Sequence, residues 1–324
     1  MKKIGIFAVL VLCLASMAFA AGGAQQGSVD ELGNFPARPI QVITPSAAGG
    51  GNDAVARTVQ KHIQTRQPLA VLNVPGANNL LGAMQFHNSP ADGYTLLAWE
   101  TTPLVLMHLS GRSDVEFYKE FEPIAALVAD HTLFAAGRAS GFRSIDDLVA
   151  AARARPGTVR IGTVGVRSNT DTAIRATMNH YGIWDLITHV PYDNGTQGAT
   201  ALLGNHVEAF CASIMDMRGG LDSGDFTPMM IFSRERSRAM PHIPTSRELG
   251  IPYSNMSRRT FFAPAGTPEV RIRYFEAELR ALFDNPEFIS DIEGLAVEAD
   301  FRGRDDMEAL ISDSYQTFAP FFRD

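Results

Sequence analysis

The feature that most limits how this chain can fold is a repeated unit: a short apolar strand, a loop of small residues, then an amphipathic helix. Ile40-Gln41-Val42-Ile43-Thr44 reads as a buried strand, Pro45 to Gly51 breaks it, and Val55, Val59 and Ile63 recur at helical spacing. Leu69 to Val74 and Tyr94 to Trp99 read as further strands, separated by Pro75-Gly76-Ala77-Asn78-Asn79 and a short apolar helix around Leu81 to Phe86. Ser144-Ile145-Asp146-Asp147 has the form of a capping box, its helix runs to Pro156-Gly157, and Val159 to Thr163 is the next strand. Ser168, with Asp171 three residues on, opens another helix with Ile174, Met178 and Tyr181 on its buried face. Thr188 to Tyr192 is then a strand, Asp193 to Thr196 a turn, and the helix from Gln197 ends at Gly204. Strands at Val207 to Ala212, Met229 to Ser233 and Thr260 to Ala263 follow. A long helix carries Ile272, Phe275, Leu279, Leu282 and Phe283 on one stripe and stops at Asn285-Pro286. This alternation predicts mostly parallel α/β sheets with helices on both faces.

The N-terminus lies outside this pattern. Met1-Lys2-Lys3, the apolar run Ile4 to Leu14 and Ala18-Phe19-Ala20 form the three parts of a secretory signal cut after Ala20, with residues 21–34 as a flexible leader. The apolar run falls short of the ~20 residues of a membrane span. The expected location is therefore periplasmic. Of the two cysteines, Cys13 lies in the signal, so Cys211 has no partner for an internal disulfide.

The remaining length suits two domains. A formal net charge of −7 and the absence of a basic run exclude a nucleic-acid partner.

In open α/β sheets the ligand crevice lies beyond the carboxyl ends of the strands, where helix N-termini also point. Three loops here have that placement: Ser46 to Asp53, Gly162 to Asn169, and Tyr192 to Thr196. Each offers unpaired backbone N–H groups, small residues that allow close approach, and the positive end of a helix dipole. Taken together they favour an anion, although each loop read singly could be no more than a turn or a cap.

Catalytic motifs are missing. Gly49-Gly50-Gly51-Asn52-Asp53 lacks the Lys-Ser/Thr ending of a P-loop, and Gly162 and Gly165 do not complete a dinucleotide fingerprint. There is no Gly-x-Ser-x-Gly elbow and no His-Glu-x-x-His pair. His62, His131, His180, His189 and His206 are scattered, and read as surface or satisfied core residues rather than metal ligands. Cys211 reads as a small buried hydrophobe. The expectation is a chain that is not an enzyme and uses neither cofactor nor metal.

A set of short motifs, in order, resembles the tripartite tricarboxylate transporter substrate-binding proteins, also called Bug-type receptors. They are Phe35-Pro36-Ala37-Arg38-Pro39-Ile40, Ala48 to Arg57, Asn73-Val74-Pro75-Gly76-Ala77, Asp92 to Leu97, Pro191-Tyr192, Leu202-Leu203-Gly204, Ile243-Pro244-Thr245 and Phe262 to Pro268. The resemblance implies a two-domain periplasmic binding protein of the Venus-flytrap, type II-like kind, with a central cleft and crossing hinge strands. Domain 1 would be 35–132 plus 259–324, and domain 2 would be 133–258.

The implied function is capture of a di- or tricarboxylate or related organic acid by domain closure and its delivery to permease subunits of a secondary transporter. A monomer is expected. Carried over by position, Ser46, Ala48, Gly49, Gly50, Asn52 and Asp53 form one jaw, with Asn79 and Thr101 beside them. Thr163, Arg167, Ser168, Asn169, Tyr192 and Gly195 form the other, and Arg259 could supply a bidentate fork.

Two departures bear on the ligand. Asn78-Asn79-Leu80 stands where relatives often have Gly-Gly-Asn, and Glu100 stands where a small residue is common. A carboxylate at Glu100 near the cleft would repel an acid unless it faces away, is protonated or meets an ammonium group. A zwitterionic amino acid is thus an alternative ligand. A sensory receptor or an exported enzyme acting on a carboxylate are alternative roles.

Overall fold

The computed structural model describes residues 32–254 and 256–322; the signal sequence, most of the leader, Asn255 and the last two residues lie outside the described residues. The first unit is β1 (Ile40–Thr44), the loop 45–50 and helix α1 (Gly51–His62). Four of the five β1 residues are buried, so β1 sits inside a sheet. It pairs in parallel with β2 (Leu69–Asn73) and β3 (Thr95–Glu100). Helices α2 (Leu80–His87) and α3 (Thr101–Leu109) follow those two strands.

The second lobe repeats the plan. Helix α5 (Ile145–Ala154) follows the short α4 (Phe117–Glu120) and opens on the expected capping box: Asp147 N–H donates to Ser144 Oγ, and the Asp147 carboxylate accepts from Ser144 N–H. Strand β5 (Val159–Val164) pairs in parallel with β6 (Ile187–Tyr192) and β7 (Ala209–Ser213). Helices α6 (Asn169–His180), α7 (Gly195–Leu203) and α8 (Ile214–Asp222) start at the carboxyl ends of β5, β6 and β7. Strand β8 (Phe226–Ile231) completes the lobe.

The lobes share β4 (Phe121–Gly137), seventeen residues of which all but Glu122 are buried. Its first part pairs antiparallel with β9 (Met256–Pro264), up to the His131–Met256 register, and with β10 (Glu298–Gly303). From Thr132 onward it pairs with β7 and β8. Strands β4 and β9 are thus the crossing strands, giving one ten-stranded sheet whose path runs β2-β1-β3-β9-β4-β7-β5-β6, with β8 and β10 off that path on β4. Helices α9 (Glu269–Ala281), α10 (Pro286–Glu293) and α11 (Arg304–Phe318) return to the first lobe. The stripe Ile272, Phe275 and Leu279 is buried against Val42, Leu96 and Phe261.

Cys211 is buried and free. Among the described residues no helix is long and apolar enough to cross a membrane, and no His, Cys, Asp and Glu side chains group as metal ligands.

Candidate ligand-binding site

A cavity of ≈ 150 Å³ opens between the lobes. The first lobe contributes Asn79, Glu100, Thr102 and Arg112 to its wall, the second Val164, Ser168, Asn169 and Asp216. The crossing strands supply Asp130, Thr132 and Ser257 between them. The two rims meet: Arg167 Nη1 donates to the Ser110 carbonyl at 3.4 Å, and the Asn78 amide lies beside Gly165.

Both rims are shaped by backbone conformation. Ala77, Asn78 and Asn79 take left-handed φ values of 46°, 50° and 74°. Asn tolerates that region at modest cost, which explains how Asn78-Asn79 serve in a turn where glycines are common. On the other rim Ser168 caps α6, its Oγ accepting from Asp171 N–H at 3.2 Å. Asn169 Nδ2 donates to Thr132 Oγ1 at 2.9 Å, and its Oδ1 accepts from the Tyr253 hydroxyl, which ties the start of α6 to the hinge.

Behind the cavity is a buried ion cluster. Arg259 Nη2 lies 2.5 Å from Asp130 Oδ2 and Nη1 lies 2.9 Å from Glu100 Oε1. Nη1 also donates to Asn52 Oδ1 at 2.7 Å. Burial would lower the Arg259 pKa, but Asp130, Glu100 and Asp216 outweigh it and raise it. A Cβ on Gly51 would stand 2.6 Å from Arg259 Nη2, so the absence of a side chain there lets the guanidinium reach the start of α1. Arg259 therefore occupies the place at this helix end where an anion could otherwise sit, and its terminal nitrogens are taken up by protein acceptors. Glu100 meets a guanidinium. Burial still raises its pKa, Arg259 opposes the rise, and Asp130 adds to it.

Asp216, in the first turn of α8, lines the same cavity and is exposed as a whole residue, while its carboxylate is crowded by the protein around it. The surrounding protein, together with Asp130 and Glu100 and against Arg259, pushes its pKa up to about 6. The carboxylate presses on Gly195, where an added Cβ would stand 2.1 Å from Asp216 Oδ2. Three carboxylates thus face one guanidinium on this side.

Arg112 has the opposite surroundings. It lines the cavity, donates from Nε to Ser110 Oγ at 2.9 Å, and makes no ion pair among the described residues. Burial alone lowers its pKa. The cavity therefore holds an uncompensated guanidinium on one side and an acidic cluster on another. Ser257 Oγ, buried in the wall, has no hydrogen-bond partner.

Of the residues expected at the site, Asn79, Ser168 and Asn169 line this cavity. Asn52 and Arg259 stand one layer behind it in the ion cluster, and Gly195 lies under Asp216. Asp53 belongs to the scaffold: it accepts from Gly49 N–H, Arg57 Nε and Asn73 Nδ2. Burial would raise its pKa, and these hydrogen bonds overcome that and hold it below the usual value. Gly50 precedes α1 as its N-cap, Ser46 Oγ is buried without a partner, and Ala48 is exposed. Thr101 Oγ1 accepts from Arg258 N–H, and Thr163 Oγ1 bonds His189 Nε2. Tyr192 packs edge-on against Phe210, and Arg167 joins the rims. Among the lining residues that the sequence reading passed over are Arg112, Asp130, Thr132, Ser213, Asp216 and Ser257.

The fold and this shared cavity define a class, the two-lobed periplasmic binding proteins; the match to a family of solute receptors, not enzymes, gives the role. Residues 55–323 match the model of the tripartite tricarboxylate transporter family receptors, and the chain belongs to that family. BugT of Bordetella pertussis is 30% identical over 257 residues, covering 78% of this chain and 76% of its own. Among solved structures, MatC from Rhodopseudomonas palustris with bound malate superposes with a TM-score of 0.77 at 23% identity, covering 89% of this chain and 100% of its own. The R. palustris protein Rpa4515 with adipate gives a TM-score of 0.79 at 22% identity, with coverage of 88% and 96%. At those identities the likeness shows the fold.

Proposed function

We propose that this chain is an extracytoplasmic receptor that holds a small organic acid between its lobes and delivers it to the permease subunits of a tripartite tricarboxylate-type secondary transporter. The observation that carries the reading is Arg112, a partly buried guanidinium without an acidic partner in the wall of a cavity shared by both lobes. A carboxylate there gains charge-assisted hydrogen bonds of about 1.5–3 kcal/mol each. The start of α6 at Ser168 adds about 0.3–1 kcal/mol. Malate in MatC and adipate in Rpa4515 are acids of this size. The proposed domains, 35–132 plus 259–324 and 133–258, are supported by the change of β4 partners between His131 and Thr132. Both lobes touch one ligand, so binding favours the closed arrangement by the ligand's differential affinity for it. The signal sequence supports periplasmic location.

A finer reading follows from the acidic side: the acid also carries a cationic nitrogen. A plain dicarboxylate would bring a second negative charge toward Glu100, Asp130 and Asp216, which one guanidinium already serves. An ammonium group there, with a carboxylate at Arg112, matches the charge of both sides. Thermal-shift screening of the mature protein against di- and tricarboxylates and amino acids tests both levels, because a ligand of the native state raises apparent stability by mass action. Stabilisation by an amino acid that Arg112→Ala abolishes is expected. No shift with any acid, or shifts that survive Arg112→Ala, would remove the cavity from the account.

A further inference from the structure

Strands β4 and β9 have two faces, and the second bounds another hollow. Asp130 lines the inter-lobe cavity with its partner Arg259 behind it, while their neighbours His131 and Arg258 line a separate hollow of ≈ 510 Å³ behind the hinge. Side chains alternate across a strand, so consecutive residues of the same two strands serve the two hollows. Both lobes build the rear one: Arg234, Arg236 and Arg238 come from the segment after β8, and Glu298, Asp300 and Arg302 from β10.

Its chemistry is that of an anion site. Five arginines, Arg234, Arg236, Arg238, Arg258 and Arg302, converge there with four acids, and the acids are shared. Asp300 takes both Arg258 and Arg302. Glu298 accepts from Ser237 Oγ and Arg238 Nε and lies 3.3 Å from His131 Nε2. Arg236 pairs with Glu248 and donates to the Pro241 carbonyl, Arg238 Nη2 donates to the Ala299 carbonyl, and Arg234 reaches Asp313 only at 3.5 Å. Much of the guanidinium N–H capacity is therefore unused. His131 is 6% exposed and lines the hollow; its Nε2 faces Glu298 at 3.3 Å without hydrogen-bond geometry, and its Nδ1 has no hydrogen-bond partner. A buried polar group without a partner calls for an explanation.

We propose that the rear hollow is a second binding site, for a small oxyanion carrying two negative charges. The ion joins Arg234 and Arg238 of one lobe to Arg302 and His131 on the hinge side, and so braces the lobes from behind.

Inorganic phosphate at pH 7.5 is the probe, titrated by calorimetry into the mature chain at ionic strength held constant with sodium chloride. One-to-one saturable binding is expected in the wild type and in Arg112→Ala. At least tenfold weakening is expected in Arg234→Ala/Arg302→Ala, two positions 62% and 45% exposed whose replacement leaves the fold intact. Arg238→Ala, 74% exposed, gives an independent variant with the same expected direction. Heats that chloride reproduces, no saturation, or loss in Arg112→Ala with the rear variants unaffected would each overturn the proposal. Failure of these titrations leaves the front-cavity account standing, since that account rests on organic acids and Arg112.

Discussion

Changing Asp216 to Asn keeps the side chain's bulk against Gly195 and removes one negative charge from the cavity. If an ammonium group of the ligand sits there, the loss is one charge-assisted hydrogen bond, about 1.5–3 kcal/mol, or roughly ten- to a hundredfold in affinity. Glutamate and glutarate form a matched pair for calorimetry, differing by the amine. Asp216→Asn is expected to weaken glutamate and to leave glutarate unchanged or tighter. Acidity provides a second arm. With a pKa of about 6, the Asp216 carboxylate is mostly protonated at pH 5 and mostly ionised at pH 7. Glutamate affinity should therefore fall roughly five- to ninefold from pH 7 to pH 5 in the wild type, with a shallower slope in Asp216→Asn. Glu100, also raised by burial, acts in the same direction. Stability runs the other way: a carboxyl with a raised folded pKa binds more protons folded than unfolded, so its contribution is lost as pH rises from about 4 through about 6. The titration of Asp216 itself thus does not tighten binding at pH 7 by firming the fold. Glutarate binding more tightly than glutamate in the wild type, with Asp216→Asn changing neither, would refute the reasoning.

Arg112→Ala should cost roughly tenfold or more in affinity for any carboxylate while moving the melting temperature little, because no acid is left unpaired by its removal. Arg259→Met should instead destabilise the fold by about 3–5 kcal/mol in urea unfolding, since Asp130 and Glu100 lose their buried partner. Gly195→Ala drives a methyl into the Asp216 side chain and should reduce glutamate affinity at some cost in melting temperature; unchanged calorimetry would remove Asp216 from contact with the ligand. Ser144→Ala, which breaks the capping box of α5 far from the cavity, should cost about 1 kcal/mol of stability and no affinity.

The β-loop-α units were legible because each couples a strand of apolar residues to a helix with a marked start, as at Ile40 to Ile63 and Ser144 to Thr163. Strand β4 was not. Buried on both faces, it shows no alternation, and Asp130 and His131 interrupt its apolar run with polar groups whose neighbours Arg259 and Glu298 are more than a hundred residues away. The same long range hid the cavity's electrostatics. Ser168 and Asn79 announce themselves by local turn and cap chemistry, whereas Arg259 is understood only beside Glu100 and Asp130. Asp216 could have been found. The rule that ligands lie beyond the carboxyl ends of strands applies to the strand read at Val207 to Ala212 as well as to the three loops chosen, and it leads to Ser213 and Asp216. Arg112 carries no such local signal: it follows the end of α3 in a loop, and only its missing partner marks it.

A crystal structure of the mature protein with the acid that stabilises it most in the thermal screen reports directly on the inter-lobe cavity. The account predicts a ligand carboxylate within hydrogen-bond distance of Arg112, the start of α6 at Ser168 close by, and a cationic nitrogen against Asp216. Density for the acid on another surface, with Arg112 and Asp216 both facing ordered water, would contradict it.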